Sequence, residues 1–183
     1  IWGGDNTIQK IKKIDSKPRT IDLSFADRFS IAILNSEKIS LLNKKELNKL
    51  VINFFNDTYI YDQNACSSPH LIIWKGKKYQ VARNLFWNAL NKIIINKYKL
   101  TDSMALEKYS DTLSYLIKLK SASLDKFSNN IYCLKLEKLP NNISFLRGRY
   151  GMFFEINVKN LDMLINKIDD KFQTLTYYGE DKK

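Results

Sequence analysis

Histidine occurs once in these 183 residues, cysteine twice, proline three times and glycine six times. Each scarcity excludes something. Two cysteines, Cys66 and Cys133, allow one bridge at most and show no C-x-x-C spacing, so no metal site is expected and free thiols are the simpler reading. No stretch approaches the roughly 20 apolar residues of a membrane-spanning helix. The N-terminus lacks the charged-then-apolar pattern of a signal peptide, so a cytoplasmic protein without a membrane span is expected. Arginine is scarce as well: Arg19, Arg28, Arg83, Arg147 and Arg149 are the only five among 30 basic residues. The net charge of +11 invites a nucleic-acid partner, because basic surfaces attract phosphate. The lysines, however, are scattered among asparagine and isoleucine, and arginine is the better reader of phosphate and base edges. A solvated lysine-rich surface is the reading adopted, with no nucleic-acid partner.

What is present suits one domain with a real core. The chain opens on Ile-Trp-Gly-Gly, which reads as the end of a strand belonging to a longer chain. Asp5 and Asn6 then cap a helix with Ile8, Ile11 and Ile14 on one face. Beyond Lys17-Pro18-Arg19, apolar runs at Leu23 to Phe25 and Ile31 to Leu34 predict strands. Asn43 and Glu46 make a capping box for a helix that carries Leu47, Leu50, Val51, Phe54 and Phe55 inward. After Pro69, "HLIIW" is a buried strand, and Lys75-Gly76-Lys77 turns the chain. A long helix follows over 79–97 with Val81, Leu85, Leu90, Ile93 and Ile94 facing inward, and another over 102–119. Strands are expected at 131–136, 152–158 and 172–178, a short helix at 160–168, and loops at 128–130 and 140–144. Strands alternating with helices make the class α/β.

Within "YIYDQNACSSPHLIIW", Cys66 stands between a polar Asp62-Gln63-Asn64 stretch and a Ser-Ser-Pro turn. A reactive cysteine needs partial exposure, polar surroundings and a rigid turn to aim its sulfur. Cys66 has the sequence features of such a nucleophile, but a small buried residue at a strand start is the ordinary alternative. Cys133 lies in the period-two pattern of "IYCLKL" and reads as core. His70, four residues after Cys66 and across Pro69, reads as structural or surface rather than as its base. Gly3 and Gly4 before a helix suit either a phosphate cradle or a plain strand-to-helix turn.

Taken in order, "IWGGDNTIQKIK", "SFADRFSIAIL" and "DQNACSSP", with the later "RGRYG" and "FQTLTYYG", resemble the long-chain acyl-CoA reductase family. This family includes the fatty-acid reductase subunits of luminous bacteria and belongs to the aldehyde dehydrogenase superfamily. The resemblance implies an aldehyde dehydrogenase-like catalytic domain, a mostly parallel sheet flanked by helices, over 15–183. Residues 1–14 would be the tail of a Rossmann-like cofactor domain that is otherwise missing. It makes Cys66 the nucleophile, the backbone amide of Ser67 an oxyanion donor and Asn64 a residue that shapes the site. Trp2, Gly3 and Gly4 would lie at the cofactor, NADPH. The implied reaction is reduction of a long-chain fatty acyl-CoA or acyl-protein to the aldehyde. An acyl-protein synthetase is the implied partner and a homo-oligomer the implied assembly; this chain alone would be inactive. Ser24 aligns where hydrolytic relatives carry a glutamate, with Asp22 and Asp27 as the alternative acids, and His70 stands where glutamine or another polar residue is expected. Two other functions stay in view: acyl transfer without reduction, and a non-catalytic scaffold of the same fold.

Overall fold

The computed structural model describes residues 1–180; the last three residues of the expected catalytic unit, 181–183, lie outside the described residues. Six strands form one sheet. They are β1 (Phe29–Asn35), β2 (Leu71–Lys75), β3 (Ser123–Ser128), β4 (Ile131–Lys135), β5 (Met152–Val158) and β6 (Phe172–Tyr178), in the order β3-β4-β5-β2-β1-β6. All neighbours are parallel except β3, which pairs antiparallel with β4 at one edge. The helices are α1 (Asp5–Ile11), α2 (Ser36–Ser40), α3 (Lys44–Thr58), α4 (Tyr79–Lys97), α5 (Asp102–Lys118) and α6 (Asp162–Ile165).

The strands are apolar on both faces because both faces are covered. Ala32, Leu34, Ile72, Trp74, Cys133 and Phe153 look toward α3 and α4, where Val51, Phe54, Phe86, Trp87 and Leu90 meet them. Ile31, Ile33, Leu71, Ile73, Leu134 and Phe154 look the other way, onto Leu139, Ile143, Leu146 and Leu164. Alternation within each strand thus builds two cores from one sheet. The capping box of α3 is present: Asn43 accepts from the amides of Lys45 and Glu46, and Glu46 returns a bond to the Asn43 amide.

Four sequence expectations are corrected. The inward face of α4 is turned by about one residue: Ala82, Arg83, Phe86, Trp87, Leu90 and Ile94 are buried, while Val81 and Leu85 are exposed. Arg83 is the reason, since it is fully buried against Glu155 of β5 and pulls a charged position into the core. Leu23 to Phe25 forms a single bridge, Trp2 to Phe25, rather than a strand, and Leu23 is exposed. The edge strand β3 and the five-residue α2, which Asn35 caps through the Lys38 amide, were not expected. Finally, only Ile8 of the α1 isoleucines is buried.

Candidate active site

The segment between α3 and β2 carries Cys66 at the amino ends of the parallel strands, where β1, β2, β5 and β6 begin. Open α/β sheets more often bind ligands at the opposite, carboxyl end. Here the amino end is the side that gathers polar anchors. Asp62 and Gln63 both take left-handed backbone conformations, with φ of 54° and 65°. For residues other than glycine such angles cost on the order of 1–3 kcal/mol each.

The surroundings hold both residues in place. The buried Gln63 side chain donates to the carbonyls of Pro69 (3.2 Å) and Met152 (3.0 Å) and accepts from the Gly151 amide (3.2 Å). Its own amide donates to Thr58 O at 2.6 Å. Asp62 accepts from the Tyr98 hydroxyl at 2.7 Å, and its carbonyl accepts the Tyr150 amide at 3.1 Å. One amide side chain therefore ties the end of α3, the start of β2 and the start of β5 together.

Further bonds aim the cysteine itself. The Ser30 hydroxyl, at the start of β1, donates to Cys66 O at 2.7 Å, and the Ser68 hydroxyl donates to Asp57 O at 2.6 Å. The "RGRYG" block is shaped by close backbone approach. A Cβ on Gly148 would collide with the Met152 carbonyl, and one on Gly151, where φ is +81°, with Asn130 O and the Tyr59 hydroxyl. Lys108 is fully buried beneath this block, and its ammonium donates to Tyr150 O (2.8 Å) and Asn129 O (2.5 Å).

Cys66 is a free, half-buried thiol in a cleft of about 770 Å³ lined by Trp2, Phe25, Ala26, Arg28, Ala65, Ser67, Phe172 and Gln173. The backbone amides of Cys66 and Ser67 donate to no protein acceptor among the described residues. Cys133 is the contrast: it is buried in β4, and burial together with the nearby Glu155 charge pushes its thiol well above its ordinary range. His70 is buried, stacked on Phe29, and its Nδ1 lies 3.0 Å from Gly148 O and 3.2 Å from the Gly148 amide. Burial, and then the Arg147 charge, push its pKa down to about 4.

Of the residues singled out in the sequence, Trp2, Cys66 and Ser67 share this cleft. Asn64 does not: it lines a second cleft with Gln63 and His70. Ser24 is half-buried with an unpartnered hydroxyl and is not part of the cleft wall, which Phe25 and Ala26 supply instead. Among the described residues no carboxylate lines that wall. Asp27 is engaged with α1, its carboxylate accepting from the Asp5 amide at 3.1 Å, and Asp22 is exposed.

Trp2, whose indole lies 5.7 Å from the Phe25 ring, forms an exposed part of the cleft wall. Of the two readings of Gly3 and Gly4, the plain strand-to-helix turn is the one that their surroundings favour. The seven-residue α1 begins with Asp5, and Asp27 already caps its first amide, so two carboxylates occupy the place of an anion. A Cβ on Gly4 would make only ordinary contact with Asp27.

A larger hollow of about 1040 Å³ lies between α3 and α4, lined by Leu42, Leu47, Val81 and Leu85 among others, and has no cysteine, histidine or carboxylate in its wall. Among the described residues no three His, Cys, Asp or Glu side chains converge as metal ligands, and no helix is long and apolar enough to cross a membrane.

Residues 1–113 match the family model described as "Acyl-CoA reductase (LuxC)". That span contains the WGGD, SFADR and DQNAC blocks; RGRYG and FQTLTYYG fall beyond it. No curated protein matches the chain. Among solved structures, the chain is similar to lactaldehyde dehydrogenase from Escherichia coli, at 12% identity and a TM-score of 0.57, over 96% of this chain and 44% of that one. An aldehyde dehydrogenase from Bartonella henselae matches at 10% identity and a TM-score of 0.57, over 100% and 46%. A 1-pyrroline-5-carboxylate dehydrogenase from Thermus, solved with bound NAD, matches at 12% identity and 0.55, over 99% and 38%. The chain thus spans less than half the length of each, and at such identities the likeness shows the fold.

Proposed function

The chain belongs to the acyl-CoA reductase (LuxC) family, and from that premise we propose that the protein carrying it reduces a long-chain fatty acyl thioester to the aldehyde through an acyl group held on Cys66. The observation that carries this reading is the half-buried Cys66 thiol in an aromatic-walled cleft, on a loop whose two strained residues are locked by Gln63. Cys66 attacks the thioester carbonyl, the new S–C bond forms, and the bond to the donor's sulfur breaks. The departing thiol takes up a proton. Charge that develops on the carbonyl oxygen meets the free amides of Cys66 and Ser67.

NADPH, when bound on the Trp2 side, would supply the hydride that reduces the acyl carbon. This chain's own part is to keep the acyl group from water. A cleft wall of Trp2, Phe25, Ala26 and Phe172 presents no base to activate a water molecule, so the thioester on Cys66 is long-lived. The donor is a long-chain acyl-CoA or an acyl-protein handed over by a synthetase partner.

The test is product analysis. The full-length protein, given tetradecanoyl-CoA and NADPH, should release tetradecanal and free CoA in equal amounts, and Cys66→Ala should release neither. Tetradecanoate as the main product would contradict the reading.

A further inference from the structure

The cysteine loop divides between two clefts of opposite character. Ala65, Cys66 and Ser67 line the aromatic one, whereas Gln63 and Asn64, immediately before them, line a polar cleft of about 420 Å³. The walls of this second cleft are His70, Asp111, Ser114, Tyr115, Lys118 and the Arg147 to Arg149 turn. Its charges do not cancel. Arg149 is consumed by Asp111 (2.8 Å) and Glu107 (2.9 Å). Arg147, half-buried, and Lys118 have no carboxylate partner among the described residues.

A second, independent feature points to a ligand. His70 is 5% exposed, its Nδ1 is fixed by Gly148, and its Nε2 makes no hydrogen bond among the described residues. In the tautomer in which Nδ1 accepts the Gly148 amide hydrogen, Nε2 carries the remaining proton and donates into the cleft. An imidazole N–H left open at the cleft wall by a residue that is otherwise buried, beside a guanidinium without a carboxylate partner, suits an anion. Arg147 and His70 line the same cleft.

An acyl thioester of coenzyme A has the same polarity as the loop's surroundings, an apolar acyl arm on one side of the reacting carbonyl and a phosphate-bearing thiol arm on the other. We propose that the cleft binds the phosphate groups of the donor's thiol arm, with Arg147 and Lys118 as the anion contacts and His70 Nε2 as the hydrogen-bond donor. This rests on the reading of Cys66 as the acyl acceptor.

Calorimetric titration of the full-length protein with free CoA, with 3′-dephospho-CoA and with pantetheine separates the parts. CoA should bind most tightly and pantetheine least. Arg147→Ala should weaken CoA about tenfold or more, and the exposed Lys118→Ala severalfold, while pantetheine binding stays unchanged and Arg147→Lys keeps most of the affinity. NADPH is titrated in parallel. CoA affinity unaltered by both alanine variants would overturn the proposal, and so would a loss confined to NADPH, which would assign the phosphates to the dinucleotide. Acylation of Cys66 by tetradecanoyl-N-acetylcysteamine, a thioester without phosphate, keeps the two readings apart. Its absence in the wild type would count against Cys66 as acceptor, whereas CoA binding that ignores Arg147 would count against the cleft alone.

Discussion

Glu155 and Gln63 are both polar side chains that the fold buries completely, yet they hold different things. Glu155, on β5, accepts from the indoles of Trp74 (2.9 Å) and Trp87 (3.1 Å) and pairs with Arg83, which also reaches Asp125 at 3.0 Å. This network fastens α4 to the sheet. Gln63 fastens the cysteine loop to the strand starts through a neutral amide. A charge in the core is tolerated only while every partner stays, whereas a neutral amide can lose partners without leaving an uncompensated charge. The first region therefore carries stability and the second carries the placement of the Cys66 loop.

The comparison is broken most severely at Glu155. Arg83→Met or Glu155→Gln should cost about 3–5 kcal/mol in urea unfolding, because each leaves the other buried charge without its main partner. A cost under about 1 kcal/mol would mean the network is replaceable.

His70 gives a pH signature on the site side. The folded state keeps it neutral with a pKa near 4, whereas the unfolded chain protonates near pH 6.5. Its contribution is fully present above pH 6.5 and is lost as the pH falls through 4, by about 3 kcal/mol in all. Unfolding curves of wild type and His70→Gln should diverge in that window, and parallel curves would place the imidazole in water.

Gln63→Ala should cost about 1–3 kcal/mol yet leave a folded protein, with acyl capture by Cys66 slowed about tenfold as the loop relaxes. Capture at the wild-type rate would show that Gln63 is not what aims the thiol. The smallest effect distinguishes two neighbours. Ala26→Glu, in the cleft wall, should shorten the lifetime of the acyl-enzyme severalfold by giving water a base, and Ser24→Glu should leave it unchanged.

Much of the fold was legible because burial on both faces makes continuous apolar runs, as at 31–34, 71–74 and 152–154. What escaped was polar or long-range. β3 is an edge strand reading SLDKFS, without alternation, and α4 buries an arginine that any apolar pattern discards. Cys66 stood out from its setting and from the family resemblance. The anchors did not, since the Met152 carbonyl that Gln63 holds lies 89 residues further on. The left-handed Asp62-Gln63 pair had no sequence mark, because neither residue is glycine. The basic cleft combines α5, the loop before β2 and the turn before β5, three segments that only the sheet brings together.

The most direct test of Cys66 as acyl acceptor is peptide mapping by mass spectrometry after brief exposure of the full-length protein to tetradecanoyl-CoA without NADPH. The account predicts one tetradecanoyl group on Cys66, none on Cys133, and its disappearance when NADPH is added. Acyl groups absent from Cys66, or spread equally over both thiols, would contradict it.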